Sequence, residues 1–120
     1  MYGLSLLLTT ALALGTATLT AATDTPPVQN KWAQLRLFGA PGCSADNMGE
    51  MGVYGYERNT CLDIAQYGAP DAVNISSIFD ECELYLYEDA GCSVEKSIAV
   101  STGCVDGAGP YGGLILSCSV

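Results

Sequence analysis

From Trp32 onward apolar residues recur at every second position in short runs. Leu35 and Leu37 flank Arg36, Leu84 and Leu86 flank Tyr85, and Leu114, Leu116 and Cys118 alternate with Ile115 and Ser117. Successive side chains on a β-strand point to opposite faces, so this alternation predicts strands that lay one face on a core. No convincing helical period appears in this part of the chain. Turn-forming residues separate the runs: Gly39-Ala40-Pro41-Gly42, Tyr67-Gly68-Ala69-Pro70-Asp71, Asp80-Glu81, Glu88-Asp89-Ala90-Gly91, and a glycine-rich stretch over 106–113. Strands are expected over 32–38, 48–56, 73–79, 82–87, 97–100 and 114–120, with a further segment at 59–64 and Cys104 opening the last loop. About eight short strands at this spacing predict an all-β sandwich. In 73–79 the alternation is imperfect, because Val73, Ile75, Ser77 and Phe79 would share one side.

One pattern occurs twice. Leu35-Arg36-Leu37-Phe38 runs through Gly39-Ala40-Pro41-Gly42 to Cys43-Ser44. Leu84-Tyr85-Leu86-Tyr87 runs through Glu88-Asp89-Ala90-Gly91 to Cys92-Ser93, every position displaced by 49. A strand, a tight turn and a cysteine therefore form a duplicated hairpin. Further on, Ile75-Ser76-Ser77-Ile78 is matched with Tyr111-Gly112-Gly113-Leu114 as the closing strand of each half. Two four-strand units of this kind can pack sheet on sheet, each covering the apolar face of the other.

The start of the chain reads differently. Residues 3–20 are apolar and small, uncharged, and lead to Thr20-Ala21-Ala22. Residues 1–22 are expected to be a signal peptide cleaved near Ala22, followed by a flexible, proline-containing lead-in over 23–31 and a single domain over 32–120. Diluted by Thr and Gly, the leader is not read as a membrane span, and none is expected in the mature protein. All six cysteines (Cys43, Cys61, Cys82, Cys92, Cys104, Cys118) follow the leader. An even count in a small secreted domain predicts three disulfides. Fifteen pairings are open to six cysteines. The duplication argues for Cys43–Cys61 and Cys92–Cys104 as equivalent bridges, with Cys82–Cys118 remaining.

Charge narrows the partners. Thirteen carboxylates against four cations give a net charge of −9, which repels phosphate backbones. No nucleic acid is expected as partner. No histidine is present, so every Ser-His or Cys-His mechanism is excluded. With the cysteines paired, no Cys-x-x-Cys motif and no histidine, zinc ligation has poor support, and no metal or cofactor is expected.

The hairpin Leu86-Tyr87-Glu88-Asp89 and the strand Ser76-Ser77-Ile78 resemble the βγ-crystallin-like family, in its secreted, cysteine-rich, killer-toxin-like branch. The resemblance covers 32–120. It implies two Greek-key units forming a small disulfide-stabilised β-sandwich, a fungal-type small secreted protein. Calcium-binding members of that family carry paired Asn or Asp ahead of the Ser pair. Ala72 and Val73 stand there in the first half, and Ala108 and Gly109 in the second, so a family-type calcium site is not expected.

These features converge on a small, acidic, extracellular protein that acts by binding a protein or glycan target, as an effector or toxin-like module and not as an enzyme. Tyr85 and Tyr87, facing out of their strand beside Glu81 and Glu83, are the expected contact surface; Tyr54, Tyr56, Tyr67 and Tyr111 are further candidates. The carboxylates near this hairpin also admit a secreted glycan hydrolase, and a structural wall or matrix component is a third possibility. Asn74-Ile75-Ser76 fits the N-glycosylation acceptor.

Overall fold

The computed structural model describes residues 25–120. The leader over 1–22, its cleavage point and residues 23 and 24 lie outside the described residues. Eight strands form: β1 (Lys31–Phe38), β2 (Asn47–Tyr54), β3 (Leu62–Asp63), β4 (Ala72–Ile78), β5 (Cys82–Tyr87), β6 (Glu95–Ala99), β7 (Gly103–Val105) and β8 (Gly113–Cys118). Two single-turn 3₁₀ helices, Gly55–Glu57 and Ala65–Tyr67, are the helical elements among the described residues. Cys104, expected at the head of a loop, lies within β7.

The strands make two antiparallel four-stranded sheets, ordered β2-β1-β4-β7 and β6-β5-β8-β3. Each half of the chain is a Greek-key unit whose first, second and fourth strands share a sheet, while its third strand crosses to the other half's sheet. The exchange gives the two sheets equivalent strand orders and makes the sandwich a pseudo-twofold pair of halves.

Ladder register shows how the halves correspond. Leu35 and Leu37 of β1 face Ile75 and Val73 of β4, and their counterparts Leu84 and Leu86 of β5 face Leu116 and Leu114 of β8. Ile75 therefore corresponds to Leu116 and Ser76 to Ser117, which corrects the match of Ile75 with Tyr111 expected from sequence. A register shift between Gln34 and Leu35 places a bulge in β4 at Ser76. The extra residue lets Val73, Ile75 and Ile78 all meet the core side while Ser76 and Ser77 are both exposed. That bulge is the reason the alternation along this strand looked imperfect.

Inward residues of both sheets fill one core: Ala33, Leu35, Leu37, Val53, Val73 and Ile75 from one, Leu84, Leu86, Leu114 and Leu116 from the other, with Ile64 and Tyr111 between. Burial of each large aliphatic side chain contributes about 1.5–3 kcal/mol. Trp32 closes one end, its ring edge-on to Phe79 at 5.0 Å and under the Arg58 guanidinium at 5.3 Å. Residues read as lead-in are tied to this end: Trp32 Nε1 donates to the Pro27 carbonyl (3.1 Å), Gly55 N to Asn30 O (3.0 Å) and Tyr56 N to Val28 O (3.1 Å).

All six cysteines are paired, with a different connectivity from the one expected. Cys82–Cys118 forms as expected, between directly opposed residues of β5 and β8. The other bridges are Cys43–Cys104 and Cys61–Cys92, replacing Cys43–Cys61 and Cys92–Cys104. The reason is strand exchange. The β1–β2 loop carries Cys43, and the third strand lying in its sheet is β7 of the other half. The β5–β6 loop carries Cys92, and the third strand in its sheet is β3, which Cys61 precedes.

Candidate functional site

Alternation along β5 sends Cys82, Leu84 and Leu86 into the core and leaves Glu83, Tyr85 and Tyr87 on the outer face. Tyr85 lies opposite Ile98 of β6 and Ile115 of β8. An apolar row, Ile98–Tyr85–Ile115, thus crosses three adjacent strands on the solvent side, spanning about 10 Å. Ile98 is 51% exposed and Val100, just beyond β6, 65%. Tyr87 stands opposite Glu95, and Glu83 opposite Ser117.

The polar rim is ordered. The Tyr85 hydroxyl donates to Glu83 Oε1 at 3.0 Å. Loss of the phenolic proton would break that bond and set two negative charges together, so the Tyr85 pKa is raised above its ordinary value. Glu81, in the turn before β5, accepts from Ser119 Oγ at 2.9 Å, and its carbonyl accepts from Ser119 N at 3.0 Å. Asp80, Glu81 and Glu83 edge an open groove of about 340 Å³ along Ser117, Ser119 and the Cys82–Cys118 bridge. Glu81, Glu83, Tyr85 and Tyr87, named from sequence, are thus brought onto one face and its rim.

The other tyrosines do not join them. Tyr54 and Tyr56 stack on each other, 5.6 Å between centroids and 21° between planes, at the end of β2 in the opposite sheet. Tyr67 is exposed on a 3₁₀ turn. Tyr111, expected to face outward, is fully buried, where its hydroxyl lies 3.1 Å from Ser97 Oγ. Asn74 is half-buried on the outer face of β4, opposite Arg36 and Cys104.

Pseudo-twofold symmetry supplies an internal comparison. The positions of Ile98, Tyr85 and Ile115 correspond to Glu50, Arg36 and Asn74 in the first sheet, where Arg36 likewise faces β2 and β4. There the row is polar, and Arg36 pairs with Glu50. The same backbone positions accept charge on one side of the molecule and carry two isoleucines and a tyrosine on the other. Polar side chains are thus compatible with these backbone positions in the first sheet.

Sequence reasoning missed Ile98 and Ile115. A signal for Ile115 was present: Leu114-Ile115-Leu116 puts three apolar residues in succession on a strand, and one of them must face outward.

Among the described residues no group of three or more Cys, Asp, Glu or His is placed to hold a metal ion, and no helix is long and apolar enough to cross a membrane. No protein-family model, curated protein or solved structure matches this chain.

Proposed function

We propose that this is a secreted, βγ-crystallin-like binding domain that acts outside the cell through the outer face of β6-β5-β8. The observation that carries the reading is the contrast between the two equivalent outer faces, polar around Arg36 and apolar-aromatic around Tyr85. Exposed apolar rows rimmed by polar groups are a property of interaction sites. Three disulfides fit an oxidising, extracellular-type environment, and Greek-key halves with exchanged third strands fit the family resemblance.

The test is capture of partners from extracellular extracts by the oxidised protein, set against Ile98→Glu/Tyr85→Arg/Ile115→Asn, which copies the first sheet's residues onto the second. Loss of capture by the folded variant supports the reading. Equal capture by both proteins overturns it, as does activity on wall polysaccharides abolished by Glu83→Gln, which would favour the hydrolase.

A further inference from the structure

We infer that the partner on this face is a cationic protein segment with apolar side chains between its Arg or Lys residues. The inference rests on the preceding reading of the face and adds the chemistry of its occupant.

Charge around the apolar row is one-sided. The strands of this sheet carry Asp63, Glu83 and Glu95 against Lys96, and the turns flanking β5 add Asp80, Glu81 and Glu88. The remaining cations belong elsewhere: Lys31 and Arg36 lie on β1, and Arg36 is paired with Glu50. Arg58 donates to the Gly55 and Val120 carbonyls beside Trp32. Among the described residues, no neighbouring cation therefore neutralises the rim apart from Lys96.

That imbalance decides between occupants. A second copy would set Glu83 and Glu95 against their own kind around the row, a like-charge juxtaposition costing several kcal/mol. A neutral glycan can donate its hydroxyls to these carboxylates but gains nothing from their uncompensated charge, which favours a cation. A segment bearing guanidinium or ammonium groups pairs with them, and its cations also find the faces of Tyr85 and Tyr87. Its apolar residues cover Ile98 and Ile115. The groove beside Glu81 and Glu83 is open and admits a long cationic side chain. Net charge of −9 steers such a partner from a distance and makes its approach sensitive to salt.

The probes are three labelled synthetic peptides in which valine alternates with arginine, glutamine or glutamate, titrated into the oxidised full domain by fluorescence anisotropy. The arginine peptide is expected to bind at least about tenfold more tightly than the glutamine peptide, with Glu83→Gln/Glu95→Gln reducing its affinity about tenfold. Tyr85→Ser/Ile115→Ser should reduce it as well. Equal binding of the arginine and glutamine peptides, lost in the Tyr85→Ser/Ile115→Ser variant, would overturn the cationic partner while leaving the face as the binding site. Arginine-peptide binding indifferent to Tyr85→Ser/Ile115→Ser would be attraction by net charge alone and would overturn the inference. So would a dimer in sedimentation that the same substitutions dissolve. Near-ultraviolet circular dichroism of each variant establishes that the fold is retained.

Discussion

Cys43 is bonded to Cys104, 61 residues further along, with 5.9 Å between their Cα atoms. The equivalent bridge, Cys61–Cys92, has the same Cα separation. Both cysteines of the hairpin loops, Cys43 (φ 54°) and Cys92 (φ 58°), adopt the left-handed conformation, so the two loops present their sulfurs alike. Each bridge joins the halves instead of closing one of them. The exchanged third strand and the exchanged disulfide are one feature seen at two levels.

Proteolysis without reduction should therefore release peptides linking Cys43 to Cys104 and Cys61 to Cys92. A Cys43–Cys61 peptide would contradict the strand exchange. Removing either bridge, as Cys43→Ser/Cys104→Ser or Cys61→Ser/Cys92→Ser, should cost about 2–4 kcal/mol in urea unfolding. Because the bridges are equivalent, the two losses should be similar.

Why the pairing was illegible in the sequence follows from the same geometry. Alternation in Leu35-Arg36-Leu37 and Leu84-Tyr85-Leu86 shows local strand structure and which side is buried, and the 49-residue displacement shows duplication. Neither says which sheet a third strand joins. β3 and β7 are two and three residues long, too short to display a pattern, and their partners are set by packing far along the chain. The candidate face was half legible. Outward placement of Tyr85 and Tyr87 follows from period two on one strand, whereas Ile98 and Ile115 join them through cross-strand register, which no single strand encodes. Tyr111 was misread because a tyrosine between Pro110 and Gly112 looks like a loop residue. Its buried hydroxyl is instead matched by a hydrogen bond with Ser97 Oγ of β6, a partner that no local pattern around Tyr111 reveals.

Copying the first sheet's residues onto the second should leave the fold intact. In Ile98→Glu/Tyr85→Arg/Ile115→Asn every substituted side chain faces solvent, and Glu50, Arg36 and Asn74 already occupy the corresponding positions. Stability should change by less than about 1 kcal/mol, read as the urea midpoint with the slope unchanged. A larger loss would mean that the apolar row supports the sandwich.

Gly112 should not tolerate a side chain. A Cβ there would sit 2.7 Å from the Glu88 carbonyl oxygen and 2.9 Å from Ala90 N, both backbone atoms of the β5–β6 loop. Gly112 also donates to the Tyr87 carbonyl (2.8 Å), and its own carbonyl accepts from Ile64 and Ala65. Gly112→Ala must move one of these segments and should cost about 1–3 kcal/mol. Gly42→Ala is the useful contrast: its Cβ would meet no atom within 4 Å, so its cost is confined to the left-handed backbone.

Acid should loosen the second hairpin loop through Asp89. Its carboxylate accepts from Ser93 Oγ (2.6 Å), Ser93 N (3.0 Å) and Val94 N (3.0 Å). These bonds favour the ionised form and lower its pKa from 3.8 to about 2, the Ser93 hydroxyl contributing most. The corresponding residue of the first loop is Ala40. That loop is held from the other half, by Asp106 Oδ2 accepting from Gly42 N at 2.7 Å. In the unfolded chain Asp89 takes up its proton near 3.8, before the folded protein does. Its contribution is thus complete above that value and declines as pH falls towards 2. Asp89→Asn should be less stable than the parent at pH 7, and the two should converge as pH falls through this interval. Urea midpoints compared at neutral pH and down the acid range provide the check, and a gap that stayed constant would assign the loop's stability to groups other than the Asp89 carboxylate.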